Sequence, residues 1–212
     1  MVPIDPEMFK RAYDRSQNQR ICNQYSFTKG QRNIIGNLGE EMFAKVFGDS
    51  IGADGINEDF FYRGYSVDVK TKTSYVDLDD RDISNYEGTV LDVDFLQQQN
   101  VDIYTFARIF DIDRYGDQEY PERYPKGWII SYMPAKLYLA VAEHLDQGHM
   151  DSSNDWKAPK KCYNLPYKQM MDPVLLFGLS NKIQENIQCT NNAIVATELT
   201  TTTSINQNLP TA

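Results

Sequence analysis

Residues 59–74 read DFFYRGYSVDVKTKTS, and the pattern of that stretch decides how the rest of the chain is arranged. Tyr65, Val67, Val69 and Thr71 alternate with Ser66, Asp68, Lys70 and Lys72, the period-two signature of a strand with one polar, charged face. Arg63-Gly64 interrupts the alternation where a two-residue hairpin turn wants positive φ, so Asp59 to Tyr62 is expected to fold back on the strand. The resulting register pairs Tyr62 with Tyr65, Phe61 with Ser66, Phe60 with Val67 and Asp59 with Asp68. Two carboxylates then face each other at a Cβ separation of about 4.5–5.5 Å, where like charges destabilise a sheet. Either one carboxyl keeps its proton at a raised pKa, or a cation lies between them, and oxygen ligands of this kind suit Mg²⁺ or Mn²⁺. Lys70 and Lys72 extend the face of Asp68, so an ammonium would stand beside that ion, where it could hold a phosphate or polarise a water. These are the groups that phosphodiester hydrolysis requires.

Upstream, Ile34, Ile35, Leu38, Met42, Phe43, Val46 and Phe47 form one apolar stripe, which predicts a helix from about Gln31 to Phe47 with Gly48 as its stop. Asp5-Pro6 reads as an N-cap and first helical position, followed by Met8, Phe9, Ala12 and Tyr13 at helical spacing. Downstream, an acidic loop is expected over 77–94. VDIYTFARIF (101–110) is apolar on nearly both faces, as a strand covered on two sides should be, and GWIISY (127–132) predicts another strand. Pro134 is expected to start a helix running through Leu137, Ala140, Val141, His144 and Leu145 to Gly148. From about Ile187 the chain turns to Thr, Asn and Ser with few large apolar side chains, the composition of a flexible tail. The expectation is a mixed α/β fold: a basic N-terminal helix and linker over 1–30, an α/β domain over 31–186 with a mixed sheet flanked by helices, and a tail over 187–212.

On these residues the chain resembles the PD-(D/E)xK nuclease superfamily, whose fold is restriction-endonuclease-like, and especially its small phage-encoded members. GNLGE (36–40) is similar to the family's helix with a Gly-Glu pair, Asp59 falls where its first strand acid stands, and Asp68-Val69-Lys70 supplies the D-x-K. Glu58 stands where the motif usually has proline, and Asp68 where Glu is commoner. The resemblance extends through VDIYTFARIF, GWII and NLPYKQMMDPVLLF, most of Ile34 to Leu179. It implies that Asp59 and Asp68, with Glu40 assisting from the helix, hold a divalent ion, Mg²⁺ with Mn²⁺ as substitute, and that Lys70 activates or orients the attacking water. DNA is the implied substrate, in the cytoplasm of a bacterial host; the sequence leaves internal cutting and cutting from an end both open, and ranks the endonuclease first. A second copy of the chain is a further candidate partner. The rival readings are a non-catalytic nucleic-acid-binding module of the same fold and an acidic interaction protein.

The 212 residues carry 21 Lys+Arg against 30 Asp+Glu, a formal charge of −9 that looks hostile to DNA until it is mapped. From Met1 to Gly39 six basic residues outnumber three acidic ones, whereas from Asp49 to Glu122 eighteen acidic residues outnumber six basic. Arg11, Arg15 and Arg32 in the basic start, with Lys72 on the strand, are therefore the expected nucleic-acid contacts. Cys22, Cys162 and Cys189 are odd in number and never form C-x-x-C, which argues for a reducing compartment and against a thiolate zinc site. No apolar run approaches the roughly 20 residues of a membrane span, and MVPIDPEMFK lacks the basic-then-apolar order of a secretory signal. Asp54 is a rival first acid, read as a turn residue first; Asp102 is a strand-end cap before a supporting acid; His144 packs on its helix, and His149 has no assigned role. Tyr104, Phe106, Trp128 and Tyr132 could stack on bases but are core first, and Gln97, Gln98 and Gln99 are polar helix surface before base readers.

Overall fold

The structure is a computed structural model describing residues 1–18, 33–48, 50–52, 59–79, 81–84, 86–92, 101–151, 156–158 and 160–179. In chain order its elements begin with β1 (Val2–Pro3), α1 (Pro6–Asn18), α2 (Asn33–Val46), β2 (Ile51–Gly52), β3 (Phe60–Tyr62), β4 (Tyr65–Ser74) and β5 (Glu87–Leu91). They continue with β6 (Ile103–Phe110), β7 (Lys126–Pro134), α3 (Ala135–Val141), β8 (Glu143–Leu145), β9 (Met150–Asp151), β10 (Trp156–Lys157) and β11 (Cys162–Pro166). Short 3₁₀ turns cover Pro121–Arg123, Tyr167–Gln169 and Pro173–Gly178. The chain divides into Met1–Gly178 and Leu179–Ala212, and the expected tail at 187–212 lies outside the described residues, as do Arg32, Asp54 and Gln97–Gln99. No helix among the described residues is long and apolar enough to cross a membrane.

The hairpin forms at the expected turn: Arg63 (φ 51°) and Gly64 (φ 82°) both take the left-handed conformation that a two-residue connection demands. Its register pairs Tyr62 with Tyr65, Phe61 with Ser66 and Phe60 with Val67. There the ladder ends. Asp59 does not pair with Asp68; its backbone N–H donates to Val67 O at 2.9 Å, and its carboxylate accepts the Val69 N–H at 2.7 Å. The side chain thus takes the place of a backbone acceptor that a longer β3 would have offered.

This hairpin joins a six-stranded mixed sheet ordered β1-β7-β6-β4-β3-β2, in which β4 and β6 run parallel and the other pairs antiparallel. β6 is central and almost wholly buried, in agreement with its apolar sequence. One face of the sheet carries α2, whose Leu38, Met42 and Phe43 are fully buried; Phe43 packs on Phe60 with ring centroids 5.2 Å apart, and Phe47 on Tyr62 at 5.3 Å. The approach is close enough that a Cβ on Gly39 would lie 1.9 Å from Thr71 Oγ1. Thr71 therefore faces α2, and Asp68, Lys70 and Lys72 face the other way.

That second face is covered by an antiparallel sheet ordered β5-β11-β8 and by α3, through a cluster that includes Tyr104, Phe106, Val90, Tyr138, Leu165 and Tyr167. Two expectations are corrected here. Residues 77–94 are not all loop, because Glu87–Leu91 forms β5 and pairs with β11. The helix after Pro134 ends at Val141: Ala142 is extended (φ −70°, ψ 145°), and Glu143–Leu145 joins the edge of β11 instead. His144 is consequently an exposed edge-strand residue, its Nε2 2.8 Å from Asp92 Oδ2, and not helix packing. α1 begins as expected, with Asp5 Oδ1 accepting the Met8 N–H at 2.8 Å. It docks on α2, where Asn37 Nδ2 donates to Ala12 O at 3.1 Å.

Candidate active site

Because β3 stops at Phe60, β4 runs on past Val67 with no described strand beside it on that side. Asp59 occupies this open edge, Asp68 and Lys70 project from one face of the sheet, and Glu40 comes from α2 on the other. Lys70 Nζ lies 2.5 Å from Asp68 Oδ2, with 34% of the lysine side chain exposed against 12% of the aspartate. Glu40 Oε2 accepts from Arg15 Nη1 at 2.9 Å. The same guanidinium donates through Nη2 to Glu41 Oε1 at 3.0 Å and to Asn37 O at 3.1 Å.

The acids feel one another. Burial first, then the charges of Asp68 and Glu40, hold the Asp59 carboxyl well above the ordinary carboxylate range, against the opposing pull of Lys70 and the Val69 N–H. Glu40 is likewise raised by burial, with Arg15 opposing and Asp68 and Glu41 adding to the rise. For Lys70, burial works against the ammonium, but Asp68, Asp59 and Glu40 outweigh it and raise the pKa. Three carboxylates and one ammonium, from α2, β4 and the residue before β3, therefore form one electrostatic unit, short of positive charge by the measure of Asp59.

Of the expected nucleic-acid contacts, Arg11 and Arg15 are already engaged: Arg11 Nε lies 2.8 Å from Glu41 Oε2, and Arg15 spans Glu40 and Glu41. In this arrangement they tie α1 to α2. Glu41 does not pair with Lys45, which reaches Asp5 Oδ2 at 3.2 Å. Lys72 lies near enough to Cys162 for its charge to favour the thiolate, although burial leaves the thiol's pKa raised. Asp102 is the strand-end cap, its Oδ2 accepting from Ser66 N at 2.9 Å and from Ser66 Oγ at 3.0 Å. Tyr104, Phe106, Trp128 and Tyr132 are buried core residues.

Sequence reasoning did not find Arg15 as the clamp on Glu40, because its partner is 25 positions away and no local spacing links them. It also passed over Tyr104 as a neighbour of the acids. Tyr104 is the register partner of Asp68 on the parallel strand β6, and Lys70 Nζ lies 6.0 Å from the centre of its ring.

No protein-family model, curated protein or solved structure matches the chain. The donor chemistry can be tested against a divalent ion on the geometry alone. Among the described residues no three His, Cys, Asp or Glu side chains converge into a ready metal cage. A carboxylate whose ionisation is opposed by burial and by a second acid fits Mg²⁺, which keeps several waters and is commonly held by one or two acids plus substrate oxygens. Asp59 has that character, with Asp68 as the second acid; Glu40 is held by Arg15.

Proposed function

We propose that the protein is a metal-dependent DNA nuclease with a restriction-endonuclease-like core. The observation that carries this reading is the Lys70–Asp68 ion pair at the open edge of β4 beside Asp59, whose carboxyl burial first and then the charges of Asp68 and Glu40 hold well above its ordinary range. Asp59 and Asp68 would hold Mg²⁺, with Mn²⁺ as substitute, and a bound ion would supply charge neutralisation and an acidified water. The remaining work belongs to the chain. Phosphoryl transfer asks chiefly for positioning and charge compensation, and Lys70, now on Asp68, is the cation at this edge that would turn toward a phosphate or its attacking water. Glu40 contributes negative charge from α2, metered by Arg15. Internal cutting of DNA in a bacterial host's cytoplasm is the setting that goes with this reading.

The test is incubation with linear, circular, single-stranded and branched DNA in Mg²⁺ or Mn²⁺, with Asp68→Ala as control. Relaxation or linearisation of circles by the wild type alone supports an endonuclease. Absence of cleavage on every substrate, or cleavage unchanged by Asp68→Ala, overturns the proposal.

A further inference from the structure

Tyr104 is buried to 1% exposure, and its hydroxyl has no hydrogen-bond partner among the described residues. An orphaned hydroxyl in a core is costly, since it has given up water and received nothing in exchange. Its surroundings are not generic core. The parallel register sets Tyr104 beside Asp68 on the same face, Lys70 Nζ stands over its ring at 6.0 Å, and that ammonium is at the same time bound to Asp68 Oδ2 at 2.5 Å. As Lys70 swings toward a water or a phosphate, its ammonium gives up part of its hold on Asp68. Once it turns away, Asp68 loses the donor that fixes its carboxylate, and Tyr104, its register partner on β6, carries a hydroxyl with no hydrogen-bond partner among the described residues.

We infer that Tyr104 is a positioning residue whose hydroxyl takes over as hydrogen-bond donor to Asp68 when Lys70 turns toward the substrate. The inference rests on the nuclease reading and deepens it. A donor of this kind keeps a ligating carboxylate oriented, and loss of such outer partners typically weakens metal affinity or activity about 10–100-fold. Because the hydroxyl has no partner among the described residues, removing it alone should leave the metal-free fold intact. A merely structural tyrosine would behave in the opposite way.

The experiment uses the full chain as wild type, Tyr104→Phe, Lys70→Met, the double variant and Asp68→Ala. Melting temperature is measured in chelator, Mn²⁺ affinity by calorimetry without DNA, and kcat and KM on whichever DNA the wild type cuts. The expected result for Tyr104→Phe is a melting temperature equal to or above wild type, Mn²⁺ affinity without DNA close to wild type because Lys70 is still on Asp68, and a fall in kcat of about tenfold or more with little change in KM. In the Lys70→Met background, where the tyrosine is the remaining donor, Tyr104→Phe should weaken Mn²⁺ binding further than it does in the wild type. A lower melting temperature or failure to fold in chelator would show that the hydroxyl already has a structural partner, and would overturn the inference. Unchanged kcat in Tyr104→Phe, or no further loss of Mn²⁺ affinity when Tyr104→Phe is added to Lys70→Met, with wild type binding and Asp68→Ala not, would overturn it while leaving the nuclease reading standing. If wild type neither binds Mn²⁺ nor cuts DNA, the nuclease reading falls and takes the inference with it.

Discussion

Asp59 ionises against burial and two neighbouring carboxylates, and this has a measurable consequence for the metal-free protein. A carboxyl whose folded pKa is raised gives stability that is complete below its unfolded value, near 3.8, and is lost as pH rises through the folded value. Glu40 acts in the same direction, while the raised Lys70 has its effect only above its ordinary 10.5, outside that window. Asp59→Asn, which can still accept the Val69 N–H, should therefore be more stable than wild type at pH 7 in chelator and show little advantage at pH 4; urea midpoints at the two pH values measure this. A variant no more stable at pH 7 would mean that the acids do not strain the fold. The adjacent glutamates of α2 separate in another way. Glu40→Gln should lower the cleavage rate at least about tenfold, a barrier change near 1.4 kcal/mol, whereas Glu41→Gln should leave it within about a factor of two, because only Glu40 shares the electrostatic unit with Asp59. Equal losses in single-turnover rates would show that the effect runs through the Arg15 bridge that both glutamates share.

Helix α2 carries a site residue only because it can lie almost on β4, and Gly39 permits that approach. Gly39→Ala should cost about 1–3 kcal/mol in denaturant titration, since the new methyl meets Thr71 at both Oγ1 and Cβ and the helix must lift. An unchanged midpoint would mean that the contact relaxes freely. The stripe of α2, the Asp5 cap of α1 and the Arg63-Gly64 turn were all legible in the sequence, because each is set by neighbours within a few positions. The segment after Ala142 was not. Its apolar residues fit a helical period as far as Leu145, but the unpaired edge of β11 offers backbone hydrogen bonds that a further helical turn could not match for burial, and Glu143–Leu145 goes to the sheet. Arg11 and Arg15 read as free basic surface for the same reason: their carboxylate partners lie on another helix, 25 to 30 positions along the chain.

The chain divides after Gly178, and Phe177, the last aromatic before that point, packs on Phe47 at 4.7 Å. A chain ending at residue 179 should keep its melting temperature within a few degrees and its cleavage pattern, because 180–212 contribute few large apolar side chains to offset their ordering entropy. A drop of ten degrees or more in calorimetry would show that the removed segment supports the fold. Sequence alone determined the hairpin, its register as far as Phe60, the two N-terminal helices, the central apolar strand and the acids and lysine of the candidate site, since periodicity and turn chemistry act over a few residues. Tertiary structure decided the rest: that β3 stops one residue short of opposing Asp59 to Asp68, that a second sheet covers the charged face, that Arg15 clamps Glu40, and that Tyr104 stands beside Asp68 with its hydroxyl unspent. Those are contacts between residues distant in sequence, and only the packing of one element on another brings them within reach.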